Sequence, residues 1–163
     1  ADDIIIKGGG HGAAAGVTLE TEKIDDFRRR VNEFYDSLQL TNQERYLLPR
    51  ADVEIDDFSE INEELVANLA RMEPFGNGNP EPVLKIATAN VLSVRRMGTD
   101  GQHVKLALRD KNGTVLQMLA FNAPEEFFRD PGDEVAAWFQ PTINEWQGGR
   151  TVEGRLLHVS SAE

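Results

Sequence analysis

His103-Val104-Lys105-Leu106-Ala107-Leu108-Arg109, then Asp110-Lys111-Asn112-Gly113, then Thr114-Val115-Leu116-Gln117-Met118-Leu119-Ala120-Phe121-Asn122, is the stretch that decides the fold. Val104, Leu106 and Leu108 alternate with His103, Lys105 and Arg109, a period of two that specifies a half-buried strand. Asn112-Gly113 supplies residues that tolerate positive φ, so the chain turns back as a hairpin into a return strand over Thr114 to Asn122. Upstream, Leu84, Ile86, Thr88 and Asn90 alternate with Lys85, Ala87, Ala89 and Val91, which predicts a strand from Val83 onward. Downstream, Pro124 to Pro131 has room for one helical turn. Glu134 to Trp146 reads as a fourth strand, and Gly148-Gly149 turns it into a fifth over Arg150 to Val159. Five strands with one helical insertion suit a five-stranded OB-like β-barrel, whereas a sandwich usually needs seven.

The first half reads differently. Ile4-Ile5-Ile6 is a short β-branched run expected to be a buried strand, ending in Lys7 and three glycines. A strand this near the start of a chain lacks partners, so the polypeptide is expected to begin inside a domain. Val17-Thr18-Leu19 suggests a second strand. Ile24, Phe27, Val31, Phe34 and Leu38 then fall on one stripe of an amphipathic helix, with Thr21 as its cap. Residues 39–50 read as a connector, and Ala51 to Phe58 as a short alternating strand. Ile61, Leu65, Leu69 and Met72 mark a second helix, with Ser59 and Asn62 competing to cap it and Pro74 stopping it. Phe75 to Pro82 is too rich in Gly, Asn and Pro for helix or strand. The expected class is α+β: residues 1–73, a linker at 74–82, and the barrel over 83–163.

Composition narrows the function. The 163 residues are 40% hydrophobic and 28% charged, enough for one domain or two small ones. No apolar run approaches the roughly 20 residues of a membrane span. With no cysteine and no secretory signal, a cytoplasmic setting is expected. A net charge of −11 argues against nucleic acid until its distribution is considered. Residues 1–84 hold 18 acids against 8 bases, and residues 85–163 hold 10 against 9, so the barrel half could still present a basic face.

Strand, glycines and a helix start together make an anion site, because free N–H groups at the helix start point at a phosphate that glycine lets approach. Gly8, Gly9 and Gly10 would leave the strand, His11 to Ala15 would form the turn, and His11 could donate an imidazole N–H. From spacing alone, a flexible turn explains the glycines equally well, and capping or packing explains His11. His11, His103 and His158 lack metal-ligand spacing. On the barrel, Arg95, Arg96, Lys105, Arg109 and Arg150 are the candidate cations. Trp146, beside a flexible turn, is the preferred base-stacking residue. Phe121 is weighed toward the core, as are Trp138 and Phe139. Arg28-Arg29-Arg30 reads as a solvated helix face.

The longer strings carry more. Gly8-Gly9-Gly10-His11-Gly12-Ala13-Ala14-Ala15-Gly16 resembles the Gly-Gly-Gly-His-x-x-Ala-Ala-Gly signature of the DHH-associated domain of the DHH phosphoesterase superfamily. Glu73-Pro74-Phe75-Gly76-Asn77-Gly78-Asn79-Pro80-Glu81-Pro82 resembles the linker of RecJ-type exonucleases. His103 to Leu106, Ala120 to Asn122 and Ile143 to Gly148 are similar to that family's strands and end-loop. The resemblance implies that residues 1–73 are the C-terminal part of a DHH-associated domain, with Gly8, Gly9, Gly10, His11, Ala14, Ala15 and Gly16 binding phosphate or nucleic acid. It implies a parent enzyme that cuts single-stranded DNA from a 5′ end in repair and recombination, using Mn²⁺ or Mg²⁺ in an upstream catalytic DHH domain. This chain carries no such metal site or catalytic residue and is expected to be inactive alone. Its expected partners are single-stranded DNA and the upstream domain, with single-strand-binding protein as a further candidate. The alternatives are a protein-docking module and a remnant of a small-nucleotide phosphatase.

Overall fold

The computed structural model describes residues 3–11, 14–38, 49–146 and 148–162, with the side chain of Trp146 outside the description. Two compact units, residues 1–47 and 48–163, are taken separately.

In the first unit, strands β1 (Lys7–His11) and β2 (Ala14–Thr18) form an antiparallel ribbon, followed by helix α1 (Ile24–Ser37). The expected strand at Ile4-Ile5-Ile6 is displaced: the glycines themselves are the strand, with Gly9 opposite Gly16 and Gly10 opposite Ala15. Residues without side chains can lie this close across a ribbon. A Cβ on Gly10 would meet the Ala14 carbonyl oxygen and Ala15 Cα at 2.7 Å. The helix start expected over His11 to Ala15 is therefore corrected, since Ala14 and Ala15 are extended. Thr21 does not cap α1 with its side chain; it opens a single 3-10 turn, Thr21–Lys23, that leads into the helix. Most of the connector at 39–50 lies outside the described residues.

In the second unit, β4 (Leu84–Met97), β5 (His103–Arg109), β6 (Val115–Ala120), β7 (Glu134–Trp146) and β8 (Gly149–Ser161) close a barrel. Neighbours run β4-β5-β6-β8-β7, and β7 returns to pair with β4. The β6–β8 pair is parallel and the other barrel pairs are antiparallel. A single 3-10 turn, Glu125–Phe127, lies between β6 and β7, where a helical insertion was expected. Ile86, Val91, Val104, Leu106, Leu108, Met118, Val135, Phe139 and Val159 fill the interior.

One strand departs from simple alternation. Leu84 and Ile86 are buried, but so are Ala89 and Val91, while Thr88 is exposed. The pairing of β4 with β7 shifts register between Ile86 and Ala89. An extra residue there swaps the faces, so the expected grouping of Thr88 and Asn90 with Leu84 and Ile86 fails past the bulge.

Residues 49–73 belong with the barrel. Strand β3 (Val53–Ile55) adds parallel to the start of β4, and helix α2 (Glu63–Ala70) follows, its N-terminus capped by Asn62 Oδ1 accepting from the Leu65 N–H at 2.9 Å. Phe58 and Ile61 enter the core, with the Phe58 ring edge-on to Phe139 at 6.1 Å. Buried Asp110 fastens this segment, accepting N–H bonds from Phe58 at 2.7 Å and from Asn112 and Thr114 at 2.9 Å. Linker residues 74–82 are docked. Asn79 Nδ2 donates to the Met72 and Pro74 carbonyls, and Arg155 reaches Glu81 at 2.5 Å.

Candidate nucleic-acid interface

Strand pairing decides which side chains share a face, because residues directly opposite in a ladder project to the same side. Arg95 lies opposite Lys105, Lys105 opposite Leu119, and Leu119 opposite Arg155. One row on the outside of the barrel thus carries three cations. Arg109, two positions further on in period-two steps from Ala107, is exposed on the same face. It also borders a surface recess of about 480 Å³, together with Asn90, Lys111 and Glu134.

The remaining candidates lie elsewhere. Arg96 follows Arg95 and points the opposite way. Its guanidinium covers the Phe128 ring at 3.6 Å and pairs with Glu125 at 2.5 Å. Arg150 stands between two carboxylates, Glu63 at 3.3 Å and Glu145 at 3.4 Å. Trp146 ends β7 opposite Gly149, and its side chain lies outside the described residues. The structure therefore brings together Arg95, Lys105 and Arg109 but not Arg96.

Charge on this face is mostly compensated. Lys105 Nζ is 2.7 Å from Glu153 Oε1, and the other Glu153 oxygen accepts from Asn144 Nδ2 at 3.2 Å. Glu153 is buried, and these two donors give each of its carboxylate oxygens a partner. Arg155 is held by Glu81 and by Gln140 Oε1. Arg95 and Arg109 form no ion pair among the described residues. Glu153 and Arg155 were missed from the sequence. Their only signal was period-two spacing in the last strand, which does not reveal a neighbour in β5.

Phe121 overturns its expected place in the core: it is 62% exposed. Leu116, Met118 and Ala120 face the interior, so Phe121 follows on the outward side, and Asn122 turns the chain away just after it at a positive φ of 47°. His103 meets it edge-on, centroids 5.1 Å apart at 70°, and His103 Nδ1 accepts the Asn122 N–H at 3.0 Å.

On the ribbon, Lys7, Gly9 and His11 alternate with Gly8 and Gly10, so the first three share one side. Added Cβ atoms at Gly9 or Gly16 would meet nothing within 4 Å, so this pair leaves a bare stretch of backbone beside His11. The Arg28-Arg29-Arg30 run is charge-paired. Arg28 meets Asp25 at 2.7 Å, Arg29 meets Glu33 at 2.7 Å, and Arg30 meets Asp3 at 2.6 Å and Asp26 at 2.9 Å. Hydrogen bonds from Arg30 and then Arg29 hold the Asp26 carboxyl below its usual range.

Among the described residues, no group of three or more His, Cys, Asp or Glu side chains is placed to hold a metal, so these residues do not fit a metal centre. No described helix is long and apolar enough to cross a membrane.

Residues 51–158 match the family model described as the RecJ OB domain. The single-stranded-DNA-specific exonuclease RecJ of Bacillus subtilis (strain 168) is 33% identical over 99% of this chain and 20% of its own length. The protein of the same name from Haemophilus influenzae is 27% identical over 93% of this chain and 26% of its own. The chain thus spans about a fifth to a quarter of the curated relatives it matches. The crystal structure of RecJ from Thermus thermophilus in complex with Mn²⁺ superposes with a TM-score of 0.57 at 25% identity, over 99% of this chain and 23% of that one. Its Mg²⁺ complex gives the same TM-score at 23% identity and shares the fold.

Proposed function

The chain belongs to the RecJ OB domain family, and from that premise we propose that it holds and orients the strand for a 5′→3′ single-stranded-DNA exonuclease of repair and recombination. Cutting belongs to an upstream DHH domain with Mn²⁺ or Mg²⁺, and the setting is cytoplasmic. The observation that carries this reading is the barrel row of Arg95 and Lys105, with Arg109 on the same face. OB barrels hold single strands on this face, with bases stacked on aromatic rings and cations along the phosphates. The names of the relatives support the substrate class.

The ribbon is proposed as a second contact. Gly8, Gly9, Gly10, His11, Ala14, Ala15 and Gly16 would let a phosphate approach the backbone at the bare Gly9–Gly16 pair, beside the His11 imidazole. This role no longer needs a helix N-terminus.

Fluorescence anisotropy with a labelled oligonucleotide at low salt tests the barrel reading. Arg95→Ala and Arg109→Ala should each weaken binding several-fold, while Glu153→Gln, which frees Lys105, should strengthen it. Absence of binding by the wild-type chain, or indifference to both arginine substitutions, would sink the proposal.

A second reading has its own observation. Lys105, Arg96, Arg150 and Arg155 are already paired with carboxylates, leaving few cations for phosphate. Such a barrel could dock a protein instead, the acidic tail of single-strand-binding protein being the candidate. Retention of the chain on an immobilised tail peptide, with no oligonucleotide binding, would favour that reading.

A further inference from the structure

Phe121 is the one large aromatic residue on the outer face that the described barrel leaves mostly uncovered. Exposing a phenyl ring works against the hydrophobic effect, and a stray surface phenylalanine is normally free to turn. This one is not free. His103 packs edge-on against it. The imidazole is itself fixed, because Nδ1 accepts the Asn122 N–H at 3.0 Å. Asn122 sits in the left-handed region at φ 47°, so the turn that presents the ring is specified by a residue type that tolerates it. The edge contact uses one side of the ring system and leaves a π-face available for stacking.

Its neighbours also fit a nucleobase better than a protein side chain. His103 lies opposite Met97, and the next row toward the barrel centre holds Arg95 and Lys105. Residues two apart along a strand lie about 7 Å apart on one face, so this apolar and aromatic end abuts the cationic row. Lys105 is paired with Glu153, and Arg96 is turned away to Phe128, which leaves Arg95 and Arg109 as this face's unpaired cations among the described residues. We infer that Phe121, braced by His103, is a nucleobase-stacking platform, and that the barrel holds single-stranded DNA through bases at this end as much as through phosphates. This rests on the barrel being a single-strand binder.

The test uses the full 163-residue chain and two labelled strands of equal length and charge, oligothymidylate and an abasic oligonucleotide. The wild-type chain should prefer oligothymidylate. Phe121→Ala should weaken oligothymidylate binding by about 5- to 150-fold and leave abasic binding unchanged, while Phe121→Tyr should bind like wild type. Circular dichroism of Phe121→Ala should match wild type, since the ring is exposed. Equal oligothymidylate binding by wild type and Phe121→Ala would overturn the inference. So would an equal loss on both strands. If the wild-type chain binds both strands alike and Arg95→Ala weakens both, the strand-binding reading stands and the stacking inference falls. If it binds neither, both fall.

Discussion

Gly154 sits where any side chain would collide with the core. A Cβ there would lie 2.3 Å from Met118 Sδ and 3.0 Å from Phe139 Cδ2, and both of those side chains are fully buried. Glycine is what lets β8 run parallel against β6 at the Met118–Gly154 pair. Overpacking a closed core costs about 1–3 kcal/mol. Gly154→Ala should lower stability by that amount in urea unfolding, and a change under about 0.5 kcal/mol would contradict the packing argument. His158 gives a residue-scale pH dependence. Burial first, and then the positive charge of Arg129, hold its imidazole below the usual 6.5, with Glu126 opposing weakly. The folded state therefore binds this proton less readily than the unfolded state does. Its contribution to stability is complete above about pH 6.5 and is lost as pH falls through that value toward the lowered one. His158→Gln should flatten the melting temperature between pH 7 and 5, relative to wild type, by removing this component; an unchanged slope would argue against it.

At the scale of elements, the β1–β2 ribbon separates two uses of glycine. Gly10 is structural, since a methyl group would strike the opposite strand. Gly9 faces open space, so no steric reason within the ribbon requires it. Gly9→Ala should leave the melting temperature near that of wild type while weakening oligonucleotide binding, because the methyl group would keep a phosphate off the backbone. A loss of stability without a loss of binding would make Gly9 a folding residue. Helix α1 shows how far pattern reading extends. Period-3.6 spacing located the helix closely, yet Phe34 is 66% exposed and no residue of α1 is buried. Periodicity states which face prefers burial, not what covers it. The connector shows the converse. Ala51 to Phe58 read as a short strand with no partner named; Val53–Ile55 pairs with the start of β4, and Phe58 and Ile61 enter the barrel core. Nothing local in those residues names β4 as the partner.

For the whole molecule, net charge and its local distribution differ. The −11 total would discourage phosphate binding, yet Arg95 and Arg109 stand unpaired among described residues on one barrel face. If those two supply the phosphate contacts, log K against log salt should have a shallow slope of roughly −1.4, at about −0.7 per contact for single strands. A slope steeper than about −4 would mean that Lys105, Arg150 or the ribbon also release counterions, and that the ion pairs open on binding. Much of this molecule was legible in one dimension. Alternation located β5 at its observed bounds, the strand read over Glu134 to Trp146 coincides with β7, Asn112-Gly113 marked the hairpin with Gly113 at φ 90°, and the string at 73–82 pointed to the family that the comparisons then showed. Such features depend on near neighbours along the chain, so the sequence by itself determined them. Only tertiary structure decided that bulges in β4 put Arg95 rather than Arg96 in the row of Lys105, that Glu153 pairs with Lys105, and that the Phe121 ring is left mostly uncovered. Each of these depends on strand register or on a partner tens of residues away, and those are settled only when the barrel closes.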